Sequence, residues 1–540
     1  MKTKKEIRFY FLATLFLLLV FSFSIVAAQP VKKDFQFKKT LKEADDFFEI
    51  DDYKSAEKLY LNILPKDPLN EKINLNIAIC KFKQKQFPEE ILPYLLKAEK
   101  SKLAPAQFYL GKVYHLACRF EEAIAHYNSY KIFEEKAREF NNEEVNRFIE
   151  MSVRAKNEMQ QPHKALIKNV GPSINTKYQE YVPLISADES KMFFTSRRPG
   201  STGGETDVLG NYNEDVYVSY KESNGSWSKP ENIGAPVNTE KHDACVSLSP
   251  DAQHMLIFRT SEDLSSGDLY STYWNGKNWG EPAMLGKEIN SEFKELSACN
   301  NNDNTMIIFT SDRPGGFGGK DLYRIVTLPN GKWSLPQNLG PKINTKYDED
   351  APFFSSNGQY LYFSSNGMNT MGGYDIFRAD AYSDMSFAEP QNLGYPINSV
   401  GDDIFFVISA DAKHGYFSSL NEEKTDPNYL SDDIFLIDIR YGENETCVKK
   451  GMCVFDNKSS LPIQVQISVY DEVTQKVIGV YKPNSSGSFI FTVNPYDKYK
   501  IVAEAKGYET IILPFAPLVE QEDYEVEVDV LTLEFKKRDK

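Results

Sequence analysis

The chain has 540 residues, 41% of them hydrophobic and 13% aromatic, with a formal net charge of −15. That length suits three or four domains, and so many Tyr and Phe favour β structure. The acidic balance, with no segregated basic patch, excludes nucleic acid and anionic lipid surfaces as partners; six cysteines are too few for a disulfide framework at this size.

At the N-terminus, Lys2, Lys4, Lys5 and Arg8 precede an apolar run from Phe9 to about Ile25, which ends in Val26-Ala27-Ala28 before Gln29. A charged start, an apolar centre and small closing residues predict a cleaved export signal over 1–28. The run is long, so an uncleaved membrane anchor is the rival reading. No cysteine follows it, which excludes a lipid anchor there. In an oxidising compartment Cys447 and Cys453 could pair around Gly451. The other four cysteines sit in apolar contexts and are expected as buried thiols.

Residues 38–160 carry apolar positions at spacings of three and four, with Gly and Pro sparse, and predict helices. Ala44, Phe48, Tyr53, Ala56, Tyr60 and Pro68 recur in part as Ala78 and Phe87, then as Gly111, Tyr114, Phe120, Ala123 and Tyr127, with a period of 33–34. This pattern resembles tetratricopeptide repeats: small residues where paired helices touch, aromatics between them. Three units and a capping helix near 141–160 are expected.

Residues 164–442 change character. An Asp followed by an aliphatic and an aromatic begins at Asp215, Asp268, Asp321, Asp375 and Asp433, with spacings of 53, 53, 54 and 58. A second marker, "VGPSIN", "IGAPVN", "LGKEIN", "LGPKIN" and "LGYPIN", ends at Asn175, Asn238, Asn290, Asn344 and Asn398. Five residues after each Asn stands an acid: Glu180, Asp243, Glu295, Glu349 and Asp403. Each period holds four strand-sized segments, several reversed by Asn-Gly, the pair that tolerates the positive φ of tight hairpins. Four strands in about 50 residues predict one blade of a β-propeller, with five blades expected and six as the alternative count. "KALIKNVG" (164–171) has no blade of its own and is expected to pair beside "DDIFLIDIRYG" (432–442), hiding two strand edges.

"PGGFGGK" (314–320) looks like a phosphate loop, but Pro314 and Asp321 stand where that loop needs Gly and a hydroxyl. Small residues that let the chain turn between strands are the expected reading. The block resembles the WD-repeat-like, TolB-type propellers, through its "S-x-D" turns and Asp-aliphatic-aromatic strands. Loops 201–214 and 421–430 break the repeat and are expected on one rim. Glu205, Asp207, Tyr212, Glu422, Glu423 and Tyr429 would form an acidic, aromatic patch for a basic partner. The five repeated Asp residues (Asp215, Asp268, Asp321, Asp375, Asp433) are expected to be structural.

Residues 446–536 alternate as strands split by Gly, Pro and Asn. "G-x-x-F" and "A-x-G-Y" resemble a carboxypeptidase-regulatory-like domain, which implies a small, non-catalytic, transthyretin-like sandwich.

No Gly-x-Ser-x-Gly is present for a hydrolase partner of the propeller. His115, Cys118 and His126 fall on different helix faces and make a poor metal set. The acids that stand out recur in every repeat, whereas catalysis needs one special site. Neither enzyme activity, cofactor, metal nor small-molecule substrate is expected.

The fold class expected is therefore multidomain: an all-α tetratricopeptide solenoid, a β-propeller and a small β-sandwich. That order resembles exported envelope proteins, including type IX secretion and gliding-associated members of the OmpA family. Their peptidoglycan-binding OmpA-like domain is not found in this sequence. The resemblance implies a periplasmic scaffold near the outer membrane that binds other envelope proteins through a helical groove and a propeller face. A glycan- or peptidoglycan-binding module is the alternative, although direct peptidoglycan anchoring is not expected.

Overall fold

The computed structural model describes residues 35–538, except 102, 135, 137, 164, 208–209, 262–265, 302–303, 383, 421–431, 439–446, 456–464, 494–496 and 516–529. The described helices are α1 (Phe35–Glu49), α2 (Tyr53–Ile63), α3 (Glu71–Lys83), α4 (Pro88–Ala98), α5 (Ala104–Leu116), α6 (Phe120–Lys131) and α7 (Asn142–Gln160). Their starts are set by local chemistry. Asp52 accepts from the Ser55 amide and Asn70 from the Ile73 amide, while Asn141 and Glu144 form a reciprocal capping box. Ala44, Ala56 and Ala78 are fully buried, consistent with small residues at helix contacts. In α5 a Cβ on Gly111 would come within 2.5 Å of the Tyr127 ring, so only glycine lets α5 lie that close to α6.

The fold-class expectation is corrected by how these helices are grouped. Contacts divide the chain into two compact units, one holding residues up to 84 and 90–106, the other 85–89 and 107–540. The seven short helices are therefore not one self-contained solenoid: the boundary passes through α5, and α6 and α7 belong with the sheets. The physical reason lies in α5–α7. Phe120 and Ala155 are buried in one cluster with Met371 and Val400 from the sheet region, so these helices complete their core on loops between strands.

Five four-stranded antiparallel sheets follow. The first holds β2 (Glu180–Ile185), β3 (Lys191–Ser196), β4 (Asp215–Tyr220) and β5 (Glu231–Asn232). The second holds β6 (Asp243–Leu248), β7 (His254–Thr260), β8 (Gly267–Tyr273) and β9 (Ala283–Met284). The third holds β10 (Ala298–Asn300), β11 (Met306–Ser311), β12 (Asp321–Val326) and β13 (Gln337–Asn338). The fourth holds β14 (Glu349–Phe354), β15 (Tyr360–Ser365), β16 (Asp375–Asp380) and β17 (Gln391–Asn392). In the fifth, β18 (Asp403–Ile408), β19 (His414–Leu420) and β20 (Asp432–Asp438) are completed by the early strand β1 (Leu166–Asn169). Leu166 pairs with Asp438 and Asn169 with Phe435, the pairing expected of this segment.

The first strands touch in a cycle, β2 to β6, β6 to β10, β10 to β14, β14 to β18 and β18 back to β2, so the sheets stand in a closed, propeller-like ring. Its two faces differ. Helix α7 meets the face bearing the glycine-rich loops: Arg154 donates to the Thr370 carbonyl at 2.7 Å, and Arg147 lies 4.0 Å from the Tyr347 ring centroid.

The C-terminal strands form two small sheets. One joins β21 (Cys447–Phe455) antiparallel to β24 (Ser488–Val493) and parallel to β27 (Leu531–Phe535). The other has the order β23 (Val477–Tyr481), β22 (Val465–Asp471), β25 (Tyr499–Ala505), β26 (Ile511–Phe515). Phe489, Phe491, Ile467 and Ile501 fill the space between them, and Cys453 is a free, buried thiol.

Candidate functional site

The repeated polar residues are built into the frame of the ring. The fourth strand of sheets one to four is only two residues long. Just past it the third-strand carbonyl still accepts from the backbone, as Leu322 does from the Leu339 amide at 3.0 Å, and the marker Asn accepts from the amide of the same residue. Asn344 Oδ1 accepts from the Leu322 amide at 2.8 Å, and its Nδ2 donates to the Leu322 carbonyl at 2.9 Å. The same two-point clamp joins Asn238 to Val216, Asn290 to Leu269, Asn398 to Ile376 and Asn175 to Ile434. A primary amide presents an acceptor and donors with the spacing of a peptide group, which no hydrophobic side chain can replace.

The Asp markers hold the loops. Asp321 accepts from the amides of Phe317 at 2.6 Å and Gly318 at 3.1 Å, and from Asn338 Nδ2 at 2.7 Å. Asp215 binds Thr202 and Asn232, Asp375 binds the Met371 amide and Asn392, and Asp433 accepts from Asn169 Nδ2. Sheet two departs: Met284 stands where the others place Asn, and Asp268 is only half-buried. A Cβ on Gly318 would lie 1.9 Å from the Tyr347 carbonyl oxygen, so the glycine cluster serves close backbone approach. Lys320, at its end, is tied to the buried carboxylate of Asp350 in the next sheet; that carboxylate also accepts from Ser297 and Thr310.

The acids at the starts of the first strands differ in their counter-charges. Glu180, Asp243 and Glu295 pair with Arg198, Arg259 and Arg313 at 3.1, 2.5 and 3.1 Å. Glu349 and Asp403 are bonded by hydroxyls and amides instead. Burial pushes the Asp403 carboxyl up to about 7, against the hydrogen bonds from Ser419 and Ser399.

Of the residues expected to bind a partner, Glu205 is exposed. Asp207 is held inside its own loop, accepting from Arg197 at 2.8 Å and from the Asn211 amide at 3.0 Å. Tyr212 is half-buried, its ring edge-on to Tyr178 with centroids 6.1 Å apart. Glu422, Glu423 and Tyr429 lie outside the described residues.

A cluster the sequence reading missed closes the ring between sheets one and five. Glu189 Oε1 lies 2.8 Å from His414 Nδ1, while its Oε2 accepts from Tyr416 at 2.9 Å and from Lys221 at 3.0 Å. Glu189 sits at φ 51°, in a turn position that Ala252, Asn304, Gly358 and Ala412 fill in the other repeats. That one charged residue among small or amide ones was the available signal. Burial raises the Glu189 carboxyl, but the His414 hydrogen bond and the Lys221 charge outweigh it and bring it to about 2.

Along the axis of the ring the first strands enclose a cavity of about 320 Å³. Val182, Leu184, Cys245, Cys299, Phe353 and Phe406 are among its mainly apolar walls. Among the described residues, no group of three or more His, Cys, Asp and Glu is placed to hold a metal ion. No helix among them is long and apolar enough to cross a membrane.

No family model and no curated protein matches the chain. Solved structures do. A TolB-type protein from Agrobacterium tumefaciens has 14% identity and a TM-score of 0.29 over 61% of this chain and 97% of its own. An endo-arabinase from Bacteroides thetaiotaomicron has 13% identity and a TM-score of 0.33 over 50% and 97%. An α-L-arabinofuranosidase from Lactobacillus brevis has 10% identity and a TM-score of 0.33 over 51% and 94%. None of these likenesses brings an activity to this chain.

Proposed function

We propose that this protein is a non-enzymatic scaffold of the cell envelope, exported to the periplasm and working beside the outer membrane in a secretion or assembly complex of the type IX kind. One observation carries the reading: the ring already serves as a two-sided platform within its own chain. On one face it holds α7 through Arg154 and Arg147. On the other it holds the C-terminal sheets, with Lys450 paired to Asp188 at 2.7 Å and Thr492 donating to the Ser356 carbonyl at 3.3 Å. The polar markers of the repeats are consumed in holding strands and loops, so differences in surface chemistry rest with nonrepeated elements such as the loop 201–214.

A glycan-binding module is the competing reading. Tyr220, Tyr273 and Tyr382 are 42%, 60% and 53% exposed on the third strands or just beyond them, as sugar-stacking rings would be. The two separate by what the protein carries with it. Crosslinking in intact envelopes followed by capture should recover discrete partner proteins for a scaffold. Sedimentation of purified protein with peptidoglycan alone should occur only for the glycan reading.

A further inference from the structure

The axial cavity has a local structural cause. Four of the five first strands slip register beside it, between Tyr181 and Leu184, Cys245 and Ser247, Asp350 and Phe353, and Ile404 and Val407. Each bulge bends its strand and breaks the ladder. In three of them a non-glycine residue takes a left-handed backbone, with φ of 52° at Val182, 50° at Ala351 and 60° at Phe405. Such a conformation is costly for valine above all, and persists only where the surroundings enforce it. Here they do: the Val182 amide donates to Ser418 Oγ at 3.2 Å, and the Ala351 amide to Ser297 Oγ at 3.0 Å, each across a sheet boundary. The ring thus maintains strained strands around a space that straight ones would narrow.

That space has the make-up of a small-molecule site. At about 320 Å³ it equals roughly ten water volumes and falls at the lower end of the usual range for ligand pockets, about 300–1,000 Å³. Its walls are apolar along the middle, with polar groups at the ends. At the turn end, Asn300 donates through Nδ2 to Asn304 Oδ1 at 2.9 Å and contacts His254 Nδ1 at 3.2 Å, which fixes the amide. The Oδ1 atom of this cavity-lining residue is buried and has no partner among the described residues. A buried acceptor left unpaired costs about 1–3 kcal/mol, so it favours an occupant that brings a donor.

The C-terminal sheets are fastened to the turn-end rim at Asp188 of sheet one, at Gln253 and Gly276 of sheet two, and at Ser356 of sheet four. Those points lie on different sides of the axis, so these sheets stand across that end. Tyr181 and Glu214 line the opposite end.

We infer that the axial cavity binds a neutral, mainly apolar small molecule carrying one hydrogen-bond donor, with its apolar body between the first strands and its donor on Asn300. This site is separate from the surfaces that the scaffold reading uses. The full chain should be titrated with N-phenyl-1-naphthylamine, a neutral probe of three aromatic rings with a single N–H, following its fluorescence. One saturable site is expected. Val246→Phe, which fills the wall, should weaken binding at least tenfold, and Asn300→Ala several-fold, with tryptophan emission unchanged as evidence of an intact ring. Should Val246→Phe disturb the ring, Ser247→Phe on the same wall replaces it with the same expectation. Absence of saturable binding, or binding unaltered by a folded wall-filling variant, would overturn the inference.

Discussion

Replacing Lys320 by Met gives a sharp test of how the ring is joined. In the native chain the Asp350 carboxylate is 5% exposed and is met by Lys320, by Ser297 Oγ at 2.5 Å, by Thr310 Oγ1 at 3.1 Å and by the Ala351 amide at 2.8 Å. Removing the cation leaves a buried carboxylate with neutral donors only, a loss of about 3–5 kcal/mol. Asp350→Asn should cost less, about 1–3 kcal/mol, because the freed Lys320 side chain is already 22% exposed and can turn to water. The double variant K320M/D350N should then be more stable than K320M alone, since no buried charge remains. All four tryptophans (227, 274, 279 and 333) lie in the ring, so urea unfolding followed by tryptophan emission reports this part of a multidomain chain. A K320M loss below about 1 kcal/mol, or a double variant less stable than K320M, would refute the reasoning.

Three further outcomes follow from the geometry. Asn344→Ala strands the Leu322 amide inside the ring, while the Leu322 carbonyl keeps its bond from the Leu339 amide, and should cost about 1–3 kcal/mol by the same emission assay, whereas Asn330→Ala in an exposed hairpin should cost under about 1. The Glu189 hydrogen bond raises the His414 pKa against burial, with Lys221 opposing and Asp411 reinforcing, so this latch is complete below the ordinary histidine range and is lost as pH rises through the raised value. The buried Asp403 carboxyl, raised to about 7, acts in the same direction: stability falls as pH rises from the ordinary carboxylate range towards 7. Urea midpoints measured between pH 5 and 8 should therefore decline, and decline less in His414→Gln and Asp403→Asn. Replacing residues 204–211 and 421–430 by short Gly-Ser turns, with Thr202 kept on Asp215 and Glu214 kept in place, should lower the ring transition only slightly while removing crosslinked partners; retention of every partner would show that these loops do not bind them.

How much was legible in the sequence depends on whether a feature repeats. The Asn marker recurs because the third strand of every sheet takes the same amide clamp, and the Asp marker because the loops beside it need an acceptor, so periodicity exposed them. The pairing of 166–169 with 432–438 was visible as a strand without a sheet beside a sheet lacking a strand. What escaped was contact between unlike elements. Nothing in the helical pattern tells that Phe120 and Ala155 finish their core on Met371 and Val400, which is why the helices looked like a self-contained solenoid. Likewise Asp207 looked like a free surface acid because Arg197, its partner, lies ten residues away on the other side of a loop. The cavity was invisible because register slips at Val182, Ala351 and Phe405 leave no mark in residue type.

The scaffold reading is tested most directly by one paired measurement on the full chain: crosslinked capture from intact envelopes beside sedimentation with purified peptidoglycan. Discrete proteins recovered in the first, with the protein remaining in the supernatant of the second, is the predicted result. Sedimentation with peptidoglycan alone, and no protein partner captured, would contradict it.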